Sequence, residues 1–462
     1  MRMRSNHRAL ALSCAAAILQ GCPPGSAGGP GTFTPPVPYR TPTSVSEFDV
    51  LRPSEVSSNI WISEGPFNRF ILSRSLVARG PMVAVAYVEV DKNLAREQYA
   101  VKLRRSMDGG ATFLPAQTLT IAVGPTLVTS VNLSVDSCGT LTVWLEYQSA
   151  GLFIAQSSDS GQTFTPWAKV PVFDRSVHYM GWVVPHPPCG MLIAEVVHTD
   201  PVNSEYPLLL KGAADPTSLV LTDVPHTAFG HMWASSLEQD EGGRLFSVQV
   251  QLMGPDSVIH VYRSTDGGKT FEFLNDQIGP TLGYTPHLFF RPFLLSDGGN
   301  TVYLGWYDLK DKYMDRPRLM VARSDDGGAH FTSFHPATSD PEPGLCGATF
   351  PGALDPSGRV WVAYGWCDPK VVPGFYDAYS CEIRLTNSDP SFSGFSAPRR
   401  VNELLSYKVA PYNVQDSVSY PSLDLDLTTN TLHLLWLDSR YSIAPSMAHS
   451  YNAFYVHTSV SP

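Results

Sequence analysis

RSMDGGATF at residues 105–113 has near copies in SSDSGQTF (157–164), RSTDGGKTF (263–271) and RSDDGGAHF (323–331). The shared octet is Ser-x-Asp-x-Gly-x-Thr-Phe. A catalytic site is normally built once, so a motif copied at intervals belongs to the scaffold. Two apolar, β-branched or aromatic segments precede each copy. PMVAVAYVEV and YAVKLRRS lead into the first, and TVYLGWYD and RLMVARS into the fourth. Their alternation reads as strand, strand, and a tight turn that carries the octet. Asp108, Asp159, Asp266 and Asp326 are the octet aspartates. A short carboxylate placed there bonds backbone N–H groups inside the turn.

A second turn recurs ahead of the first strand of each pair: ARGP, SCGT, PCGM, EGGR, DGGN, PSGR and TTNT. Gly80, Gly139, Gly190, Gly243, Gly299, Gly358 and Asn430 are read as its positive-φ residues. Eroded octets at 211–219 and 386–395 fill the gaps, so seven units run from about residue 44 to the end. Units of roughly 55 residues with four short strands are the mark of a β-propeller. The expectation is an all-β ring of seven four-stranded blades over 44–462, with six blades plus accessory strands as the alternative. The segment NIWIS (59–63) is expected to lend the last unit its missing strand and close the ring.

Composition agrees with a large β core. Hydrophobic residues make up 43% of the 462, charged residues 16%, and there are 36 glycines and 39 prolines. The N-terminus, MRMRSNHRALALSCAAAILQGC, has a basic start and a short apolar run, as a secretory signal does. Its end, Leu19-Gln20-Gly21-Cys22, resembles the lipobox of bacterial lipoproteins, which implies a signal peptide at 1–21 and lipidation of Cys22 in the cell envelope. Residues 22–43 are rich in Pro, Gly, Ser and Thr and read as a flexible tether. Loss of the signal leaves 29 basic against 42 acidic residues, with no basic stripe, so nucleic acid is not an expected partner. The membrane is expected to be met through the lipid alone, and the protein to be a monomer.

No Cys-x-x-Cys occurs and no His spacing suits zinc. Each octet offers one or two carboxylates, against the six to eight oxygens that calcium takes, so neither metal nor cofactor is expected. Cys367 and Cys381 flank a hairpin loop in the sixth unit, and are expected to be bonded; Cys138 and Cys189, at matching turns of neighbouring units, form the rival pair.

The octet resembles the Asp-box, or BNR repeat, of the sialidase superfamily, in four good and two eroded copies between 105 and 395. The resemblance implies a propeller and places a ligand on the face opposite the octets. There the loops between second and third strands are long and rich in Asp, Arg, His and Tyr. Tyr376, Asp377, Tyr379 and Tyr441 are the candidate ligand-binding residues. Tyr87-Val-Glu89, Trp144-Leu-Glu146, Trp306-Tyr-Asp308 and Trp436-Leu-Asp438 each set an acid two residues after an aromatic. Glycoside hydrolysis uses paired carboxylates, but four copies argue for scaffold. Asp308 and Asp438 lead as catalytic candidates, because a basic residue follows each closely. Sialidases also grip a carboxylate with three arginines, the first in a Phe/Tyr-Arg-Ile-Pro stretch that this chain lacks. Arg291, Arg316 and Arg440 are the candidates for that role. Two functions stand: a surface propeller that binds a glycan or protein ligand, or an exo-acting glycosidase of sialidase type.

Overall fold

The structure is a computed structural model. It describes residues 60–63, 69–91, 98–123, 128–147, 151–169, 182–186, 189, 191–199, 205–213, 220–223, 232–240, 242–253, 256–279, 284, 286, 292–308, 318–338, 345–346, 350–368, 378–402, 406–409, 418–438 and 452–460. Every element of these is a β-strand.

The central strands explain the architecture. In Met82–Asp91, Val83, Val85 and Tyr87 pack against residues of the last unit, whereas Ala84, Ala86, Val88 and Val90 pack against those of the second. Successive side chains alternate between the two faces, and both faces are covered, so the strand reads as an unbroken apolar run. Val302–Asp308 does the same: Val302, Leu304 and Trp306 face the fourth unit, and Tyr303 and Tyr307 face the sixth. The core therefore lies between sheets. Trp144, Trp306, Trp436 and Tyr87 are among its largest fully buried side chains, each contributing about 1.5–3 kcal/mol by burial. These four are the aromatics of the aromatic-x-acid pattern, so the rings of that pattern lie in the core.

Each repeat forms one antiparallel sheet. Four-stranded sheets occupy 69–123, 128–169, 182–223, 232–278 and 293–336, and a further one joins 418–459 to Ile60–Trp61. These are called the first to fifth blades and the last blade. The expectation of seven four-stranded blades needs a correction, since six sheets are four-stranded. The sheet over 345–409 has six strands. Its inner strand is split into Leu345–Cys346 and Gly352–Leu354, which both pair with Val360–Asp368. Its outer strand is split into Arg399–Arg400 and Ser406–Val409, which both pair with Ala378–Asn387. Pro351, lacking an N–H, stands immediately before the second inner piece.

Inner strands of neighbouring sheets touch in chain order, and Arg69–Arg79 touches Val418–Asp426, which closes the ring. The closing strand is the one expected: Ile60 pairs with Tyr455 and Trp61 with Phe454, and Ile62 N–H bonds the Ala453 carbonyl at 2.8 Å. Ala78 N–H also donates to the Asp424 carboxylate at 2.6 Å, tying the first blade to the last.

Turn residues follow the sequence reading with one exception. Gly80, Gly139, Gly243, Gly358 and Asn430 have positive φ, but in DGGN it is Gly298 (φ 76°) rather than Gly299 that turns the chain. Gly190 lies outside the described residues.

Candidate functional site

The octets use up their own polar groups. Ser106, fully buried, accepts the Gly110 N–H at 2.8 Å and donates to Asp108 at 2.6 Å. Asp108 accepts the Thr112 N–H at 2.8 Å and the Thr112 hydroxyl at 2.6 Å. Bonds from the Ser106 and Thr112 side chains hold the Asp108 carboxyl down at about 2. Asp159, Asp266 and Asp326 repeat the set, with His330 replacing Thr in the fourth copy. In the eroded copy, where Asn387 replaces the octet serine, Asp389 accepts from Ser391 and Ser393 instead. A Cβ on Gly110, at φ 92°, would strike the Tyr455 hydroxyl, so the glycine is required by space as well as by φ. Phe331 is buried between the fourth and fifth blades, and Phe113 meets Tyr455 edge-on at 5.0 Å between the first and last.

The arginine before the octet serine links neighbouring octets. Arg105 donates to the Ser160 carbonyl at 3.0 Å, Arg263 to Gly327 at 3.0 Å and Arg323 to Ser391 at 3.3 Å. A second aspartate series, missed in the sequence, stands in the turns between first and second strands. Asp136, Asp240, Asp297, Asp355 and Asp426 each accept backbone N–H or hydroxyl donors from the next few residues. In Asp136, Asp240 and Asp355 the signal was an aspartate three residues before the turn glycine.

Cys138 and Cys189, in two such turns, are disulfide-bonded with a Cα–Cα distance of 5.9 Å. Cys367 and Cys381 are direct cross-strand partners. Directly opposed residues of an antiparallel pair have Cα atoms about 4.5–5.5 Å apart, which a disulfide spans.

The opposite end of the blades holds a different chemistry. Asp308, fully buried, closes an ion pair with its cross-strand partner Arg318, Nε to Oδ2 at 2.8 Å. The Arg318 guanidinium lies 5.8 Å over the Tyr284 ring, which meets Trp306 edge-on at 5.2 Å. Burial pushes the Tyr284 phenol up. Glu89 pairs with Lys102 at 3.0 Å. On the six-stranded sheet Arg384 bonds Glu382 at 2.6 Å and stacks 3.8 Å over Trp366. Aromatic–cation–carboxylate groups thus stand on two sheets, the fifth and the six-stranded one, where Arg384 lies mid-sheet opposite Tyr364.

Asp308 is locked to Arg318, which was not among the sequence candidates. Asp438 ends Thr431–Asp438 opposite Asn452, and Tyr379 lies in Ala378–Asn387 opposite Lys408. Arg291, Arg316, Arg440, Tyr376, Asp377, Tyr441 and Cys22 lie outside the described residues. Among the described residues the one group with metal-ligand proximity is Asp136, Cys138 and Cys189, whose sulfurs are bonded to each other.

No protein-family model matches the chain, and no curated protein matches it. Solved structures do. Polysaccharide lyase Uly1 superposes with a TM-score of 0.54 at 7% identity, over 88% of this chain and 100% of that one. Phage phi92 endosialidase gives 0.48 at 11% identity, over 90% and 70%. The intramolecular trans-sialidase from Ruminococcus gnavus gives 0.45 at 11%, over 85% and 96%. At such identities the likeness is one of fold, and with the sheet order it makes this chain an all-β propeller.

Proposed function

We propose that the protein is an exported lipoprotein, anchored at Cys22, whose propeller binds a glycan or protein ligand at the end opposite the octets. The carrying observation is that the strand-two carboxylates Glu89 and Asp308 are each engaged by a neighbouring cation, at 3.0 and 2.8 Å. A glycosidase of the two-carboxylate kind needs one carboxylic acid and one carboxylate left to react, whereas a binding surface needs rings and fixed charges. Tyr284 with Arg318, and Trp366 with Arg384, supply those. Stacking on a ring and hydrogen bonding from a held guanidinium suit sugars or acidic side chains. The fold shared with a polysaccharide lyase points to carbohydrate as the first ligand class to try.

The test uses the soluble chain from residue 44 onward, on a glycan array and with fluorogenic sialosides. Binding without turnover is the expected result. Tyr376→Ala and Tyr379→Ala should weaken it about tenfold each while leaving the fold intact. Release of free sialic acid by the wild-type protein would replace this reading with the exo-glycosidase.

A further inference from the structure

We propose that Cys138–Cys189 is a reversible thiol-exchange site, and that an external dithiol reduces it to free the third blade from the second. The bond joins the turns between first and second strands of these two blades, across 51 residues of chain. Both cysteines are exposed. Cys138 also lines a cavity of about 340 Å³, walled by Arg79, Met82, Met107, Ser160 and Thr428, which gives a reagent room to approach. Met107 at its rim is 46% exposed.

The position of the bond in the repeat gives it a purpose. From first to second, fourth to fifth and fifth to sixth sheets, octet arginines reach the next octet's carbonyl. The second octet lacks that donor, because Gln156 stands before its serine where the other intact copies have arginine. At this junction the tie is covalent instead. Hydrogen bonds between blades re-form at once when broken; a disulfide, once reduced, stays open until reoxidised. Exposed disulfides are the readily exchanged ones.

The step balances without any group from the rest of the protein. A thiolate of the dithiol attacks one sulfur, the Cys138–Cys189 bond breaks, and the other cysteine leaves as thiolate. The second thiol of the reagent then displaces the mixed disulfide. The protein gains two electrons and two protons, and the dithiol becomes a disulfide.

The experiment treats the native full chain with low-millimolar dithiothreitol, traps thiols with iodoacetamide, and follows trypsin cleavage by mass spectrometry. Lys211 reports on the third blade, since it sits in Glu205–Ala213 between Ile193 and Val220. The expected outcome is alkylation of Cys138 and Cys189 without denaturant, about tenfold faster cleavage after Lys211, and unchanged cleavage after Arg263 and Arg323. The paired variant Cys138→Ser, Cys189→Ser should show the fast Lys211 cleavage without reductant and no further response to it. Three outcomes overturn the proposal: sulfurs that resist alkylation until urea unfolds the chain, an unchanged Lys211 rate, or equal acceleration at all three sites.

Discussion

Arg104 Nη1 donates a hydrogen bond of 3.0 Å to the Ile62 carbonyl, so a buried arginine of the first blade grips the strand that closes the last. The same guanidinium bonds the Leu114 carbonyl at 3.0 Å and the Phe113 carbonyl at 3.2 Å, at the end of the first octet. One side chain thus joins the closing strand to the octet turn beside it.

Arg104→Met keeps the stem and deletes these donors, leaving the buried Ile62 carbonyl without this bond. It should lower stability by roughly 2–4 kcal/mol in urea unfolding and expose the segment before Ile62 to protease. A variant as stable as wild type would mean that the closing strand is held by its own ladder alone.

Ser106→Ala removes the buried hydroxyl that bridges Gly110 N–H and Asp108. A loss of roughly 1–3 kcal/mol is expected, with ligand affinity per folded molecule unchanged. A stable Ser106→Ala protein that no longer binds ligand would move the functional site to the octet face.

Asp308→Asn removes the buried carboxylate charge that pairs with Arg318. The protein should lose about 3–5 kcal/mol of stability. A catalytic acid would behave differently, giving a stable but inactive protein, so thermal unfolding and turnover measured together separate the two roles.

The seam between first and last blades should be acid-sensitive. His433 is buried with Nδ1 2.6 Å from the Tyr455 hydroxyl, and burial, with His457 nearby, pulls its imidazole down to about 4. An unfolded histidine titrates near 6.5, so the unfolded chain takes up the proton first. The stability from neutral His433 is complete above about pH 6.5 and is lost as pH falls towards 4. Asp424, lifted by burial to about 6, titrates in part of this window with the opposite sign. The quantity to measure is therefore the difference between wild type and His433→Gln, which should narrow as pH drops from 6.5 to 4.

Lipidation and the second disulfide each have a direct check. Cys22→Ala should release the protein from membranes or stall its maturation; equal membrane fractionation would remove the lipobox reading. Non-reducing peptide maps should contain a Cys367–Cys381 cross-link, as their opposed register allows.

The strands and octets were legible because period-two alternation and turn glycines are local signals, and so was the closing strand, whose apolar residues had no other unit to join. The six-stranded sheet was not, since two-residue strands such as Leu345–Cys346 carry no period. Arg318 went unread as the partner of Asp308 because position along the chain says little about register. Asp308 and Arg318 meet only once the hairpin is aligned, and a shift of two residues keeps the face but changes the partner. The carboxylate turns went unread because glycine drew the attention that Asp136 or Asp355, three residues earlier, also merited. Of the two cysteine pairs weighed, geometry shows the rival, Cys138–Cys189, bonded.

The closing strand makes an early segment of the chain wait for one made much later. Ser63 accepts its hydrogen bond from Ala453 N–H, 390 residues further on. At roughly 5–20 residues per second that interval is on the order of 20–80 s, during which Ile60 and Trp61 have no strand to join. Blades between can fold as they emerge, each from its own consecutive strands, but the ring cannot. Any chain shortened at its C-terminal end would leave this segment permanently unpaired, a ready template for aggregation.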